Sequence, residues 1–209
     1  DALGPWRVEP TNESCALRLR AAGQPTLVLV AGRQIVTRQR LEVLALGTRT
    51  MFDDRNDIAA TIAQVHRDGA LPVLPWGFGK WLFGRGRIVR DLIDSPPVPT
   101  LCLGDNGGRP CGSMTPTLLK RAGRPGRPRI PVLPGSDPLP FAHQVGRIGR
   151  YGFTIAVDLA GPRPFDALRE ALTAGVAPLP VGRRDGWCAF ARAQLAMRLH
   201  NRGARLNRE

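Results

Sequence analysis

No apolar run in this chain approaches the roughly 18–20 residues of a membrane-spanning helix, so no helical span is expected and no membrane partner. The four cysteines, Cys15, Cys102, Cys111 and Cys188, form no Cys-x-x-Cys pair. A zinc knuckle or a thioredoxin-type dithiol is therefore unsupported. A disulfide framework does not suit 209 residues, and a reducing, cytoplasmic setting is expected. Gly-x-Gly-x-x-Gly and the Walker lysine motif are both missing, which removes the phosphate-binding turns that announce open nucleotide-binding sheets. Histidine is limited to His66, His143 and His200, and none is placed to serve Ser136 or Cys111, so nucleophilic catalysis has no base. Lysine is scarcer still: of 30 basic residues only Lys80 and Lys120 are lysines. The net charge of +13 is thus almost all arginine, in a chain rich in Gly, Ala and Pro, as GC-rich codon usage produces. The arginines are scattered, and the clusters at Arg121–Arg129 and Arg198–Arg208 lack the interleaved aromatics of a single-strand binding surface. Nucleic acid is not the expected partner.

What is present is a repeated grammar of short apolar runs ending in Gly- and Pro-rich loops. Leu71–Leu74 runs into Pro75-Trp-Gly-Phe-Gly-Lys-Trp81, Leu101–Leu103 into Gly104-Asp-Asn-Gly-Gly-Arg-Pro110, and Ile130–Leu133 into Pro134-Gly-Ser-Asp-Pro138. Strands are also expected at 26–31, 41–46 and 152–157, with an edge strand at 16–20. Helices are expected at 57–67, 87–94, 116–122, 164–173 and 187–200, from apolar spacings such as Ile58, Ile62 and Val65. Strands alternating with helices every 25–30 residues imply βα units and a mainly parallel sheet. Polar loops after successive strands suit a barrel, whose βα loops converge on one mouth. Residues 1–25 are expected to be an irregular segment, and 201–209 a disordered basic tail.

One stretch resembles a known family. Val30-Ala-Gly-Arg-Gln-Ile-Val-Thr37, Leu41-Glu-Val-Leu-Ala-Leu-Gly47, Gly69-Ala-Leu-Pro-Val-Leu-Pro-Trp-Gly77 and Gly135-Ser-Asp-Pro-Leu139 are similar, in order and spacing, to the polymerase and histidinol phosphatase (PHP) domains. The resemblance implies one α/β domain over 1–209, a distorted TIM-like (βα)7 barrel lacking its N-terminal strand or strands. It also implies hydrolase chemistry on an anionic small molecule, a phosphate ester in particular, with a divalent metal as cofactor. The chain departs from the family pattern at the metal positions. Gln34 stands where the family has Glu, Glu42 is nearest to a family His, Leu74 and Leu139 replace two more, and Asp137 is retained as the remaining metal-ligand candidate. The alternative is a non-catalytic, metal-free relative that binds an anionic ligand or a protein partner.

The candidate site follows the strand ends, where function concentrates. Asp137, Asp105 and Glu42 are the candidate acid–base carboxylates. Asp137 alone could equally cap a turn. Trp76, Lys80, Trp81, Asn106, Arg109, Ser136 and Gln34 are candidate ligand contacts. Lys80 and Arg109, in loops after consecutive strands, are expected to share one anion. The missing barrel closure is expected to leave an open strand edge, which invites oligomers.

Overall fold

The computed structural model describes residues 4–106, 108–124, 129–139 and 141–206. The chain runs β1 (Arg7–Pro10), β2 (Ala16–Arg20), β3 (Leu27–Val30), β4 (Gly32–Val36), β5 (Glu42–Leu46), α1 (Ile58–Arg67), β6 (Leu71–Pro75), α2 (Phe83–Asp94), β7 (Cys102–Asn106), α3 (Thr117–Ala122), β8 (Val132–Gly135), β9 (Tyr151–Thr154), α4 (Pro164–Thr173), β10 (Leu179–Gly182) and α5 (Trp187–Leu206). A short 3-10 helix, Ala142–Arg147, precedes β9.

The strands do not close into a barrel. They form three sheets: β1-β2-β3, β10-β9, and a five-stranded sheet in the order β4-β5-β6-β7-β8. In the large sheet β4–β5 and β5–β6 pair antiparallel, and only β6–β7 and β7–β8 pair parallel. The expected (βα)7 barrel is thereby overturned. Its first half took Gly32–Thr37 as either the loop that ends the preceding strand or an extension of it. Instead the chain bends at Ala31, whose N–H donates to the Cys15 carbonyl at 2.7 Å while its own carbonyl accepts from Gly47 N at 2.8 Å. Residues 32–36 then join a different sheet and return as a hairpin.

The N-terminal stretch is also more ordered than expected. Ala16–Arg20, read as an edge strand, is the central strand of its sheet, and β1 and β3 are the edges. Arg18, almost buried on β2, donates from Nη2 to the Gly161 and Ala160 carbonyls at 2.6 and 3.1 Å, pinning that sheet to the 159–161 loop. At the other end α5 runs to Leu206, over part of the stretch read as a tail.

The large sheet separates two cores. One face packs against α1, α2 and α3 through Val43, Ala45, Ile62, Val65, Val89 and Ile93, all 0% exposed. Asp57 starts α1 by accepting a bond from Ala59 N at 2.9 Å, and Gly69, at φ +80°, follows its C-cap Asp68. The opposite face meets α4 in a smaller core of Leu71, Val73, Cys102, Leu133, Phe165 and Leu172. Burial pushes the Cys102 thiol up to about 12, so it is an inert packing group here. Among the described residues no helix is long and apolar enough to cross a membrane.

Candidate functional site

The face under α4 is incompletely filled. Along β5 the alternation of a strand puts Val43 and Ala45 against the helices and Glu42, Leu44 and Leu46 on the other side, where they stay half-buried. On β6 the same face carries Leu71, Val73 and Pro75, and on β7 it carries Gly104 and Asn106. These residues, with Leu133, Phe153 and the α4 side chains Phe165, Leu168 and Leu172, line a cavity of about 390 Å³. Its wall is mostly apolar. Its polar groups are Gln34, Glu42, Lys80, Asn106 and Asp137. A second chamber of about 270 Å³ adjoins it, walled by Phe190, Ala193 and Met197 of α5 together with Arg147 and Asp185. Trp76, Gly77, Lys80, Asn106 and Asp137 belong to both chambers, so the polar group stands between them.

Lys80 and Glu42 meet there, with Nζ 2.5 Å from Oε1. The lysine side chain is 41% exposed and the glutamate 21%, so water reaches the pair. Asn106 donates from Nδ2 to the Trp76 carbonyl at 2.5 Å and fixes the loop that carries the tryptophan. Asp137 sits just past β8 in a left-handed conformation, φ +45°, which few residues other than glycine, Asn and Asp adopt without strain. It retains an exposed surface, yet the surrounding protein displaces enough water to raise its carboxyl pKa. The Glu42 carboxylate adds to the rise, and Lys80 and Arg147 offset part of it.

That shift fixes the sign of a pH effect. With a raised folded pKa, the native chain holds the proton more tightly than the unfolded chain. The associated stability is present below the ordinary value of 3.8 and is lost as pH rises through the folded pKa. Asp137→Asn removes the penalty of the ionised form and tolerates the same backbone. Thermal unfolding from pH 4 to pH 8 should show the variant gaining on wild type as pH rises, then holding a constant lead. A lead that shrinks with pH would mean the carboxylate is stabilised by its cations.

The other expected contacts do not converge on the cleft. Arg109 is 2% exposed; its Nε and Nη2 each donate to Asp105, at 2.8 Å, and its Nη1 reaches the Ser113 carbonyl at 3.2 Å. Asp105 also accepts from the Tyr151 hydroxyl at 3.2 Å and from Arg184 Nη2 at 3.0 Å. Burial, then the Asp105 charge, pushes the Tyr151 phenol up and keeps it a donor. Asp105 and Arg109 are thus the centre of a buried strut between β7, β9 and the segment before α5. The anion expected between Lys80 and Arg109 has no place, because the guanidinium is held by protein groups. Gly107, expected to bring backbone N–H groups to that anion, lies outside the described residues. Trp81 is 8% exposed within the helix-side core, so it is a packing residue. Ser136 donates to the Tyr151 carbonyl at 3.0 Å and ties β8 to β9. Leu74 is in the helix-side core, and the side chains of His143 and His200 lie outside the described residues.

No protein-family model, curated protein or solved structure matches this chain. The site therefore has to be read from its own chemistry. Gln34, Glu42 and Asp137, three positions where the PHP resemblance places metal ligands, do line one cavity. As a donor set they do not fit a divalent metal cluster. One is a neutral amide, and a lysine ammonium occupies the coordinating edge of Glu42. Among the described residues no three His, Cys, Asp or Glu side chains gather. The residues that the sequence reading missed are the apolar wall and the Arg147–Asp185 pair at 2.7 Å beside it. The i, i+2 spacing of Glu42, Leu44 and Leu46 was the available signal, since it places a charge on the same face as two leucines.

Proposed function

We propose that the chain is a hydrolase-type enzyme working without a bound metal, with Asp137 as acid and Glu42 as base on the polar end of a small molecule held in the cleft. The observation that carries it is the meeting of two carboxylates and one ammonium at the polar end of an apolar cavity, with one carboxyl made by its surroundings to keep its proton to higher pH. Among the described residues, Lys80 is a cation beside the cleft whose partner is itself a site group. An anionic ester oxygen can draw the ammonium away and free Glu42. Glu42 then takes a proton from the attacking water while Asp137 gives its proton to the leaving oxygen. For a phosphate ester the P–O bond to the alkoxide breaks, a new P–O bond to water forms, and alcohol and phosphate leave.

A second reading is favoured by the Lys80–Glu42 pair itself, which at rest neutralises the base: a cleft that binds its ligand and does no chemistry. Assays with phenyl phosphate and phenyl acetate, whose leaving oxygen needs a proton, in the presence of EDTA separate the two. Turnover of either probe is expected, falling roughly 10²–10⁴-fold in Asp137→Asn and in Glu42→Gln. The rate should decline as pH rises through the Asp137 pKa. Absence of turnover, or variants that match wild type, would leave the binding reading.

A further inference from the structure

We propose that the cleft takes a molecule with a single hydrocarbon tail, the tail lying along β6 under α4 and the polar head at Lys80. The inference rests on the reading of the polar group as the head-binding end, and extends it to the rest of the ligand.

Three observations carry it. First, the two faces of β5 are treated differently. Val43 and Ala45 are sealed completely, while Leu44 and Leu46, one residue away on the other face, remain half-buried in the middle of a folded sheet. Apolar side chains left underpacked next to a well-packed core mark a space kept for an apolar occupant. Second, the space runs the length of one strand while also reaching across to β5, β7 and β8. It follows β6 from Leu71 to Pro75, about 13 Å at the rise of a strand. With C–C bonds of about 1.5 Å, that length takes an extended chain of roughly ten carbons. Third, the charge is one-sided; Gln34, opposite Leu44 on β4, is the uncharged polar group partway along. Leu71, Leu46 and Leu172 stand at the far end, and the charged pair stands at the end where β6, β7 and β8 finish. A ligand polar all over would strip water from its groups against leucine walls without replacing those hydrogen bonds. A ligand apolar all over would cover the Lys80–Glu42 pair and Asp137 without offering them a polar partner. A tail with one head satisfies both ends.

Binding, measured by calorimetry below the micellar concentration, tests this without requiring turnover. The probes are n-alkyl phosphates of four to twelve carbons, with n-alkanols and n-alkyltrimethylammonium salts of the same lengths. Each added methylene should tighten the phosphate series about three- to fourfold, up to roughly ten carbons, and no further. Leu168→Trp, which fills the middle of the tail space from α4, should flatten the length dependence while leaving short phosphates bound. Leu44→Phe, filling from the sheet side, should do the same, and unfolding curves would confirm that both variants fold. Affinity independent of chain length, with head-group binding intact, would overturn the tail and leave the acid–base reading standing. A length dependence equal for all three heads and unchanged in Lys80→Ala would keep the tail and overturn the polar end. Binding that appears only above the micellar concentration would overturn the tail.

Discussion

Arg109→Ala should destabilise the fold by about 3–5 kcal/mol, the cost of breaking a buried ion pair from one side. The arginine is 2% exposed and donates twice to Asp105, which is itself 5% exposed. Removing it leaves a carboxylate in the interior with, among the described residues, Tyr151 and Arg184 to answer it, both through the same oxygen, Oδ2. Oδ1, bonded to Arg109 Nε, loses the partner that faced it. The lower half of the range is the better expectation, because Arg184 keeps one cation in place. The double variant Asp105→Ala with Arg109→Ala should recover part of the loss, since it removes the stranded charge along with its partner. Urea unfolding of wild type, both single variants and the double variant gives the coupling directly. A single-variant loss under about 1 kcal/mol would mean that water reaches the pair and screens it as it does a surface bridge.

The same residues show where sequence reading stops. Asp105 and Arg109 were singled out as a catalytic group and an anion contact, and their i, i+4 spacing was visible. The sequence does not reveal that Ser113, Tyr151 and Arg184 return to the same point, and those contacts turn a presumed anion site into a strut. Asp137 and Glu42 fared differently. Glu42 alternates within a strand, which puts it on the sheet face where the cavity lies, and Asp137 follows a strand end, which puts it at the cavity's rim. Local elements were legible for related reasons: α1 has an Asp cap, a one-faced apolar spacing and a Gly after its C-cap. Strand direction was not. The hairpin between β4 and β5 turns through Thr37-Arg-Gln-Arg-Leu41, with Arg40 at φ +57° where glycine or asparagine would have signalled the reversal. Thr37 closes it from its own hydroxyl, 2.8 Å from the Leu41 carbonyl. With that turn hidden, β4 reads as the loop after β3 or as an extension of it. A helix between β5 and β6 then suggests a parallel crossover. Parallel neighbours require such a connection, but antiparallel neighbours are free to have one too.

Gly47→Ala should cost about 2–5 kcal/mol, the sum of a left-handed backbone forced on alanine and overpacking of a closed core. Gly47 ends β5 at φ +85°, its N–H bonded to the Ala31 carbonyl at 2.8 Å, so the backbone is held where only glycine is comfortable. A Cβ there would lie 1.9 Å from Phe165 Cε1 and 2.0 Å from Cζ. The ring cannot stay. Phe165 is 4% exposed, and its own N–H is bonded to Glu13 Oε2 at 2.9 Å, which anchors the start of α4. The open direction is the cavity that Phe165 already lines, so the ring should swing into the tail space. Gly23→Ala isolates the backbone share: it has a similar φ, +69°, and nothing within 4 Å of its Cβ, so it should cost only about 1–2 kcal/mol. The difference between the two, read by urea unfolding, is the steric price of the Phe165 contact. Of the two, only Gly47→Ala should also shorten the longest alkyl phosphate the protein binds tightly. If both variants lose the same stability and bind the same chains, Phe165 yields without entering the cavity.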